Sequence, residues 1–300
     1  MEKGIAMKTA ATLACLSLFA LAAPASAQTN WDEVEFETIP LAPGVAVLIS
    51  GRAGNLGVSY GEDGTILIDD QFAPLTDKIE AAIAELGADP VKFLINTHYH
   101  GDHTGGNENL GKKGALIFAQ KNVRVRLLEG RQGERPIPPA PKEALPVVTY
   151  DQGLTLNVNG DTVDVMFVGG GHTDGDSVIF WREDNIVHMG DLYFKIPGYP
   201  FIDVASGGNV FNAMNSLDTV IRMIDDETKV IPGHGPMSNK AELVVYRAMV
   251  GDAVARVKAL RDEGKTLEEA VAADPLADFN RGEGFISKDS FVTAIWNSMD

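Results

Sequence analysis

A chain of 300 residues, 45% hydrophobic and 22% charged, holds enough apolar material for one large domain or two small ones. Its formal net charge of −17 repels phosphate backbones and argues against a nucleic-acid partner. A single cysteine, Cys15, excludes a disulfide framework, and the lack of any repeat period excludes a solenoid.

The first 27 residues have the form of a secretory leader. Lys3 and Lys8 give a positive start, Thr9–Ala23 an apolar run and Ala25-Ser26-Ala27 a small-residue cleavage site, with Met7 as an alternative start. The apolar run is shorter than the roughly 20 residues that span a bilayer, and it continues well past Cys15. Cleavage is therefore the expectation, in preference to a membrane or lipid anchor. It would place the protein in the periplasm or outside the cell, without a stable membrane anchor and without its cysteine. An exported chain lacking disulfides relies on its core or on bound metal. The sequence divides into the leader at 1–27, a main domain at 28–238 and a helical extension at 239–300.

Val45–Ser50, Leu56–Tyr60 and Thr65–Asp69 read as strands, the last two joined by a turn at Glu62-Asp63-Gly64. Ile79, Ile83 and Leu86 share one helical face, and Gly87 behind them ends a helix predicted over Leu75–Leu86. The apolar run Val91–Ile95 is a further strand, and a second strand–helix unit leads to Ala115–Ala119. Gly130–Pro146 holds five of the fifteen prolines and reads as an irregular loop, a surface connection in preference to a lid. Leu154–Val158, Thr162–Val168, Ser177–Trp181, Asn185–His188 and Lys229–Ile231 follow as strands. Phe211, Met214, Leu217, Ile221 and Ile224 give Asn209–Asp225 the apolar face of a core helix. From Asn239 the pattern is helical to the end and carries no chemical motif, with Asn239/Glu242 and Thr266/Glu269 at capping-box spacing. Strands followed by a helix, twice over, predict two sheets back to back with helices outside.

The chemistry is concentrated in His98-Tyr99-His100-Gly101-Asp102-His103, directly behind the strand Val91–Ile95. Side chains two apart on extended backbone point the same way, so His98 and His100 can grip one cation. Asp102 and His103, at the following turn, can reach a second. Imidazole and carboxylate are ligands that Zn²⁺ accepts, and no thiolate competes. Three further blocks set a lone ligand-type residue at a strand end among glycines: His172 within Gly169–Ser177, Asp191 after Gly190, and His234 within Pro232–Pro236. Loops held by rigid strands let such residues converge, and glycine lets the backbone approach an ion closely. Five of the six histidines fall in these blocks; the sixth, His188, reads as a hydrogen-bonded core or supporting residue. Asp174 and Asp176 read as turn residues. Tyr193 and Lys195, just past Asp191, are candidates for contact with a small-molecule substrate. From the residues alone, the pattern is that of a two-metal hydrolase.

The succession H-x-H-x-D-H, Gly-His-Thr, Gly-Asp and Gly-His-Gly resembles the metallo-β-lactamase superfamily, over roughly Phe36 to Pro236. The resemblance implies an α/β (α+β) fold: a four-layer αββα sandwich of two mixed β-sheets flanked by helices, with the metals at one edge and a helical C-terminal tail. It implies two Zn²⁺ per chain, the first on His98, His100 and His172, the second on Asp102, His103 and His234, with Asp191 bridging them. Asp102 would also be the catalytic residue, orienting a metal-bridging hydroxide that opens an amide or ester bond. One large group of β-lactamases carries a cysteine at the position of Asp191, with a lysine three residues on; here Lys195 lies four beyond. β-Lactam hydrolysis, primary or promiscuous, therefore stands beside a lactonase or thioesterase of the glyoxalase II-like type, which shares the full ligand set. A non-catalytic metal-binding protein on the same fold is the third alternative, and the completeness of the ligand set weighs against it.

Overall fold

A computed structural model describes residues 1, 30–131 and 136–300, so the leader expected at 1–27 lies, Met1 aside, outside the described residues. Four strands open the chain as an antiparallel meander: β1 (Glu37–Ala42), β2 (Val45–Ile49), β3 (Leu56–Ser59) and β4 (Thr65–Ile68). Three more join in parallel, β5 (Val91–Ile95), β6 (Leu116–Gln120) and β7 (Val148–Tyr150), giving the order β1-β2-β3-β4-β5-β6-β7. Parallel neighbours need crossovers. These are α1 (Thr76–Glu85), the short pair α2 (Gly101–Thr104) and α3 (Asn107–Lys112), and α4 (Lys121–Glu129).

The second sheet comprises β8 (Gly153–Val158), β9 (Asp161–Phe167), β10 (Ser177–Trp181), β11 (Ile186–His188), β12 (Lys229–Ile231) and β13 (Ser238–Asn239). Its order is β13-β12-β11-β10-β9-β8, and only β11 and β12 run parallel, joined across α5 (Val210–Met223). Strand alternation builds the layers. In β4, Ile66 and Ile68 enter the core between the sheets with Ile179, Trp181 and Ile231. Leu67, between them, joins Ile79, Ile83 and Leu110 beneath the helices. In β10, Val178 and Phe180 turn outward to a third core with Leu217, Val250 and Phe291. Strands buried on both faces explain the unbroken apolar runs.

The expected four-layer sandwich is thus present, with a helical C-terminal region of α6 (Lys240–Asp262), α7 (Leu267–Ala272) and α8 (Lys288–Asn297). Asn239 caps α6 through the N–H of Glu242, and Thr266 with Glu269 completes a reciprocal box. Two details depart from expectation. The helical pattern from Asn239 is broken between α7 and α8, where Gly198 N–H bonds to Arg281 O and Tyr199 N–H to Ile286 O. In α5 the buried face is Val210, Ala213, Leu217 and Val220, whereas Phe211, Met214 and Ile221 are only half-buried on its flank. Leu217 and Ile224 are buried as predicted, and the other three pack against the same core, whose contact with α5 is centred on Val210, Ala213, Leu217 and Val220. The pieces of the proline-rich loop that are described hold an Arg131–Ile137 bridge and a short turn at Lys142–Ala144. Among the described residues no helix is long and apolar enough to cross a membrane.

Candidate metal centre

Four strand ends bring the chemistry together. β5 leads into His98, β9 into the loop of His172, β11 into Asp191 and β12 into His234. His100 has extended backbone (φ −63°, ψ 151°) and caps α2, which carries Asp102 and His103. Asn96 and Asn107, buried and bonded to each other through both side-chain amides, hold the start of this turn against α3.

Three imidazoles form the first group. His98 Nε2 lies 3.1 Å from His100 Nδ1, which lies 2.8 Å from His172 Nε2. The opposite ring nitrogens fix the proton positions. His172 Nδ1 meets Phe201 O at 2.6 Å, an acceptor only, so it must donate. His100 Nε2 meets Asp203 Oδ2 at 2.9 Å and donates likewise. The Thr97 hydroxyl donates to Asp69 and therefore accepts from His98 Nδ1 at 3.0 Å. All three inward nitrogens are left as lone pairs aimed at one point.

Asp102, His103 and His234 form the second group. His234 Nε2 stands 3.3 Å from Asp102 Oδ2 and 3.4 Å from His103 Nε2. His103 Nδ1 donates to Asp69 at 2.7 Å, which again leaves Nε2 facing inward. Asp191 lies between the groups: its Oδ2 is 3.5 Å from His172 and 3.4 Å from His234, while Oδ1 is 3.2 Å from His103. That Oδ1 is buried without a hydrogen-bond partner. The backbone is close on both sides: a Cβ at Gly54 would sit 2.2 Å from His103 Cε1, and one at Gly233 2.1 Å from Asp191 Oδ1.

Electrostatics divides the cluster. Burial, with His103 nearby, holds His98 well below the usual histidine range, and burial brings His172 down to about 4. Burial also disfavours charge on His103 and His234, but Asp191 and Asp102 outweigh it, raising His103 well and His234 to about 9. Asp102, pushed up by burial, is pulled down to about 2 by His103 and His234. Converging lone pairs, an unpartnered carboxylate oxygen and two aspartates among the imidazoles of the second group all fit divalent cations. His98, His100 and His172 would hold one and Asp102, His103 and His234 another, with Asp191 between.

The sequence model of the metallo-beta-lactamase superfamily matches residues 50–234. The chain belongs to that superfamily. A hydroxyacylglutathione hydrolase of Methylococcus capsulatus is 26% identical over 222 residues, 72% of this chain and 77% of its own length. A beta-lactamase-like protein 2 homolog of Caenorhabditis elegans is 25% identical, the match covering 58% of this chain and only 53% of the nematode protein. Among solved structures, the metallo-beta-lactamase from Pontibacter korlensis superposes at a TM-score of 0.61 with 20% identity, over 73% of this chain and all of that one. The family model's match ends before the C-terminal helices of this chain.

Two predicted substrate contacts, Tyr193 and Lys195, are otherwise engaged. Tyr193 is buried with its hydroxyl 2.8 Å from Ser238 Oγ, and Lys195 Nζ bonds to Met237 O and Glu242. Both line a cavity of about 720 Å³ with Tyr246, Met249 and Arg281, to which none of the seven ligand candidates contributes. The residues following Asp191 turn back toward α6, which the sequence spacing could not show. His188 is a supporting residue as expected, its Nε2 on Asn55 O and its Nδ1 accepting from Gly190 N–H. Asp176 shapes the His172 turn by accepting the N–H groups of His172 and Thr173, and Asp174 pairs with Arg126. Sequence reasoning missed Asp69 and Asp203, the carboxylates behind His103 and His100. The only hint was the pair Asp69-Asp70 at the end of an otherwise apolar strand.

Proposed function

We propose that this protein is an exported binuclear zinc hydrolase that opens an amide or ester bond in a small molecule. The observation that carries the reading is Asp191, whose carboxylate faces both groups of inward-pointing imidazoles. A pair of cations there would polarise a carbonyl and lower the pKa of bound water to about 7. The chain's own residues set the stage. Asp203 and Asp69 hold His100 and His103 in the tautomers that present lone pairs inward. His98, His103 and His172 are fully buried, so substrate approaches over the partly exposed His100, Asp102 and His234. Asp102, the most exposed of the ligand carboxylates, is the acceptor placed to orient an entering water. Export rests on the leader pattern at 1–27.

β-Lactams are one substrate class. Thioesters and lactones form a second reading, favoured by the hydroxyacylglutathione hydrolase relative, whose match covers about three quarters of both chains. Zinc-loaded protein assayed with a chromogenic cephalosporin, a lactone and a thioester separates the readings. Turnover of none, with two zinc ions bound, would leave a non-catalytic metal-binding protein.

A further inference from the structure

The surroundings of His100 bear on which substrates the proposed hydrolase would accept, and this inference rests on that reading for the bond broken but not for what is bound. One face of the His100 imidazole is covered by Phe201, with ring centroids 5.5 Å apart and planes 12° from parallel. Phe201 also meets His172 edge-on at 5.3 Å. Phe285 in turn meets Phe201 edge-on, at 5.8 Å and 82°. Phe285 is 80% exposed, and among the large hydrophobic side chains described only Met1 is more so.

This exposure is built in. The segment 281–286 docks on 196–199 through the Gly198–Arg281 and Tyr199–Ile286 main-chain bonds. The Arg281 guanidinium donates to the carbonyls of Ile196 and Gly198. Gly284 lies so close that a Cβ there would sit 2.0 Å from Pro197 O. The break between α7 and α8 thereby carries an aromatic side chain back to the mouth of the metal centre and holds it in water. Neither phenylalanine offers charge or a hydrogen bond, so the surface they make recognises apolar groups, and covering it releases hydration free energy.

We propose that Phe201 and Phe285 form an aromatic shelf that binds the apolar acyl or aryl portion of a substrate whose carbonyl lies at the metals. Hydroxamates test this without catalysis, because they chelate metal whatever bond the protein breaks. Binding of acetohydroxamate and octanohydroxamate to the zinc-loaded full chain is measured by calorimetry for the wild type, Phe285→Ala and Phe285→Leu. The wild type is expected to prefer the longer probe. Phe285→Ala should reduce that preference about tenfold, the equivalent of about two buried methylenes, and Phe285→Leu should restore most of it. No preference in the wild type, or the same ratio in Phe285→Ala, overturns the shelf. A preference that depends on Phe285, with no turnover of any ester, amide or thioester, would keep the shelf and sink the hydrolase reading.

Discussion

Replacing Asp69 with asparagine separates the support of the metal centre from its ligands. Asp69 accepts three hydrogen bonds, from Thr97 N–H, the Thr97 hydroxyl and His103 Nδ1–H, each at 2.7 Å. Its backbone has φ +59°, which asparagine tolerates, so the substitution changes hydrogen bonding and little else. An amide has one accepting oxygen. If that oxygen keeps the Thr97 N–H, the NH₂ faces His103, whose Nδ1 must then accept, and the ring proton moves to Nε2, aimed at the cation position. If the amide turns over, its NH₂ confronts the Thr97 N–H instead. Either arrangement costs about 1–3 kcal/mol. The second group should therefore bind zinc about ten- to a hundredfold more weakly, the usual effect of losing a residue behind a ligand. The first group meets Asp69 only through the Thr97 hydroxyl and should lose less. Zinc titration against a fluorescent chelator, with thermal unfolding to confirm the fold, measures both affinities. Wild-type affinity in the second group, or equal weakening of both, would refute the tautomer argument.

Further outcomes follow from the same geometry. In the metal-free protein His234, at about 9, and the raised His103 carry protons at neutral pH that a cation must displace. Below pH 9 the second group's affinity should therefore fall about tenfold per pH unit for each proton displaced, whereas His172, brought down to about 4, and His98, also held well below the usual histidine range by burial, impose no such slope on the first. Zinc stoichiometry between pH 6 and 9 reads this directly, and pH-independent filling of both groups would contradict it. Asp191→Ala should cut turnover at least about a hundredfold and lower the bound zinc, which elemental analysis checks; an active variant retaining two zinc ions would remove Asp191 from the centre. Gly54→Ala drives a methyl into His103 and should cost about 1–3 kcal/mol of stability together with second-group zinc, tested by thermal unfolding and metal content.

Some of this was legible in the sequence because the physics is local. Alternation and apolar runs mark strands buried on both faces, and β4, β5 and β10 lie within a residue or so of where the pattern puts them. The edge strands β1, β7 and β13 went unpredicted, since most of their side chains stay out of the core, whereas the equally short β11 and β12 were legible as buried apolar runs. The core helix α5 was legible too: Leu217 and Ile224 are buried, and Phe211, Met214 and Ile221 pack half-buried against the same core; only the centre of its face, which includes Ala213 and Ser216, lay outside the apolar pattern.

Ligand-type residues in four glycine-rich blocks were legible because ligand chemistry restricts residue types and close approach requires glycine. What lay behind the ligands was not. Asp203 is 103 residues from His100, and Asp69 is 34 from His103; nothing in either stretch distinguishes a carboxylate that orients an imidazole from one that caps a turn. Tyr193 and Lys195 show the opposite case, being near Asp191 in sequence but turned to Ser238 and Glu242 in space. Residues that touch a cation are constrained by chemistry and leave a mark in composition. Residues that touch the ligands, or the substrate, are constrained only by where the chain has brought them. Phe285 is the extreme case: it lies far beyond the family's motifs, yet a main-chain clamp sets it against Phe201 at the mouth of the centre. Differences in substrate among proteins sharing the seven ligand positions should accordingly reside in such segments, where sequence patterns are silent, and not in the ligand blocks.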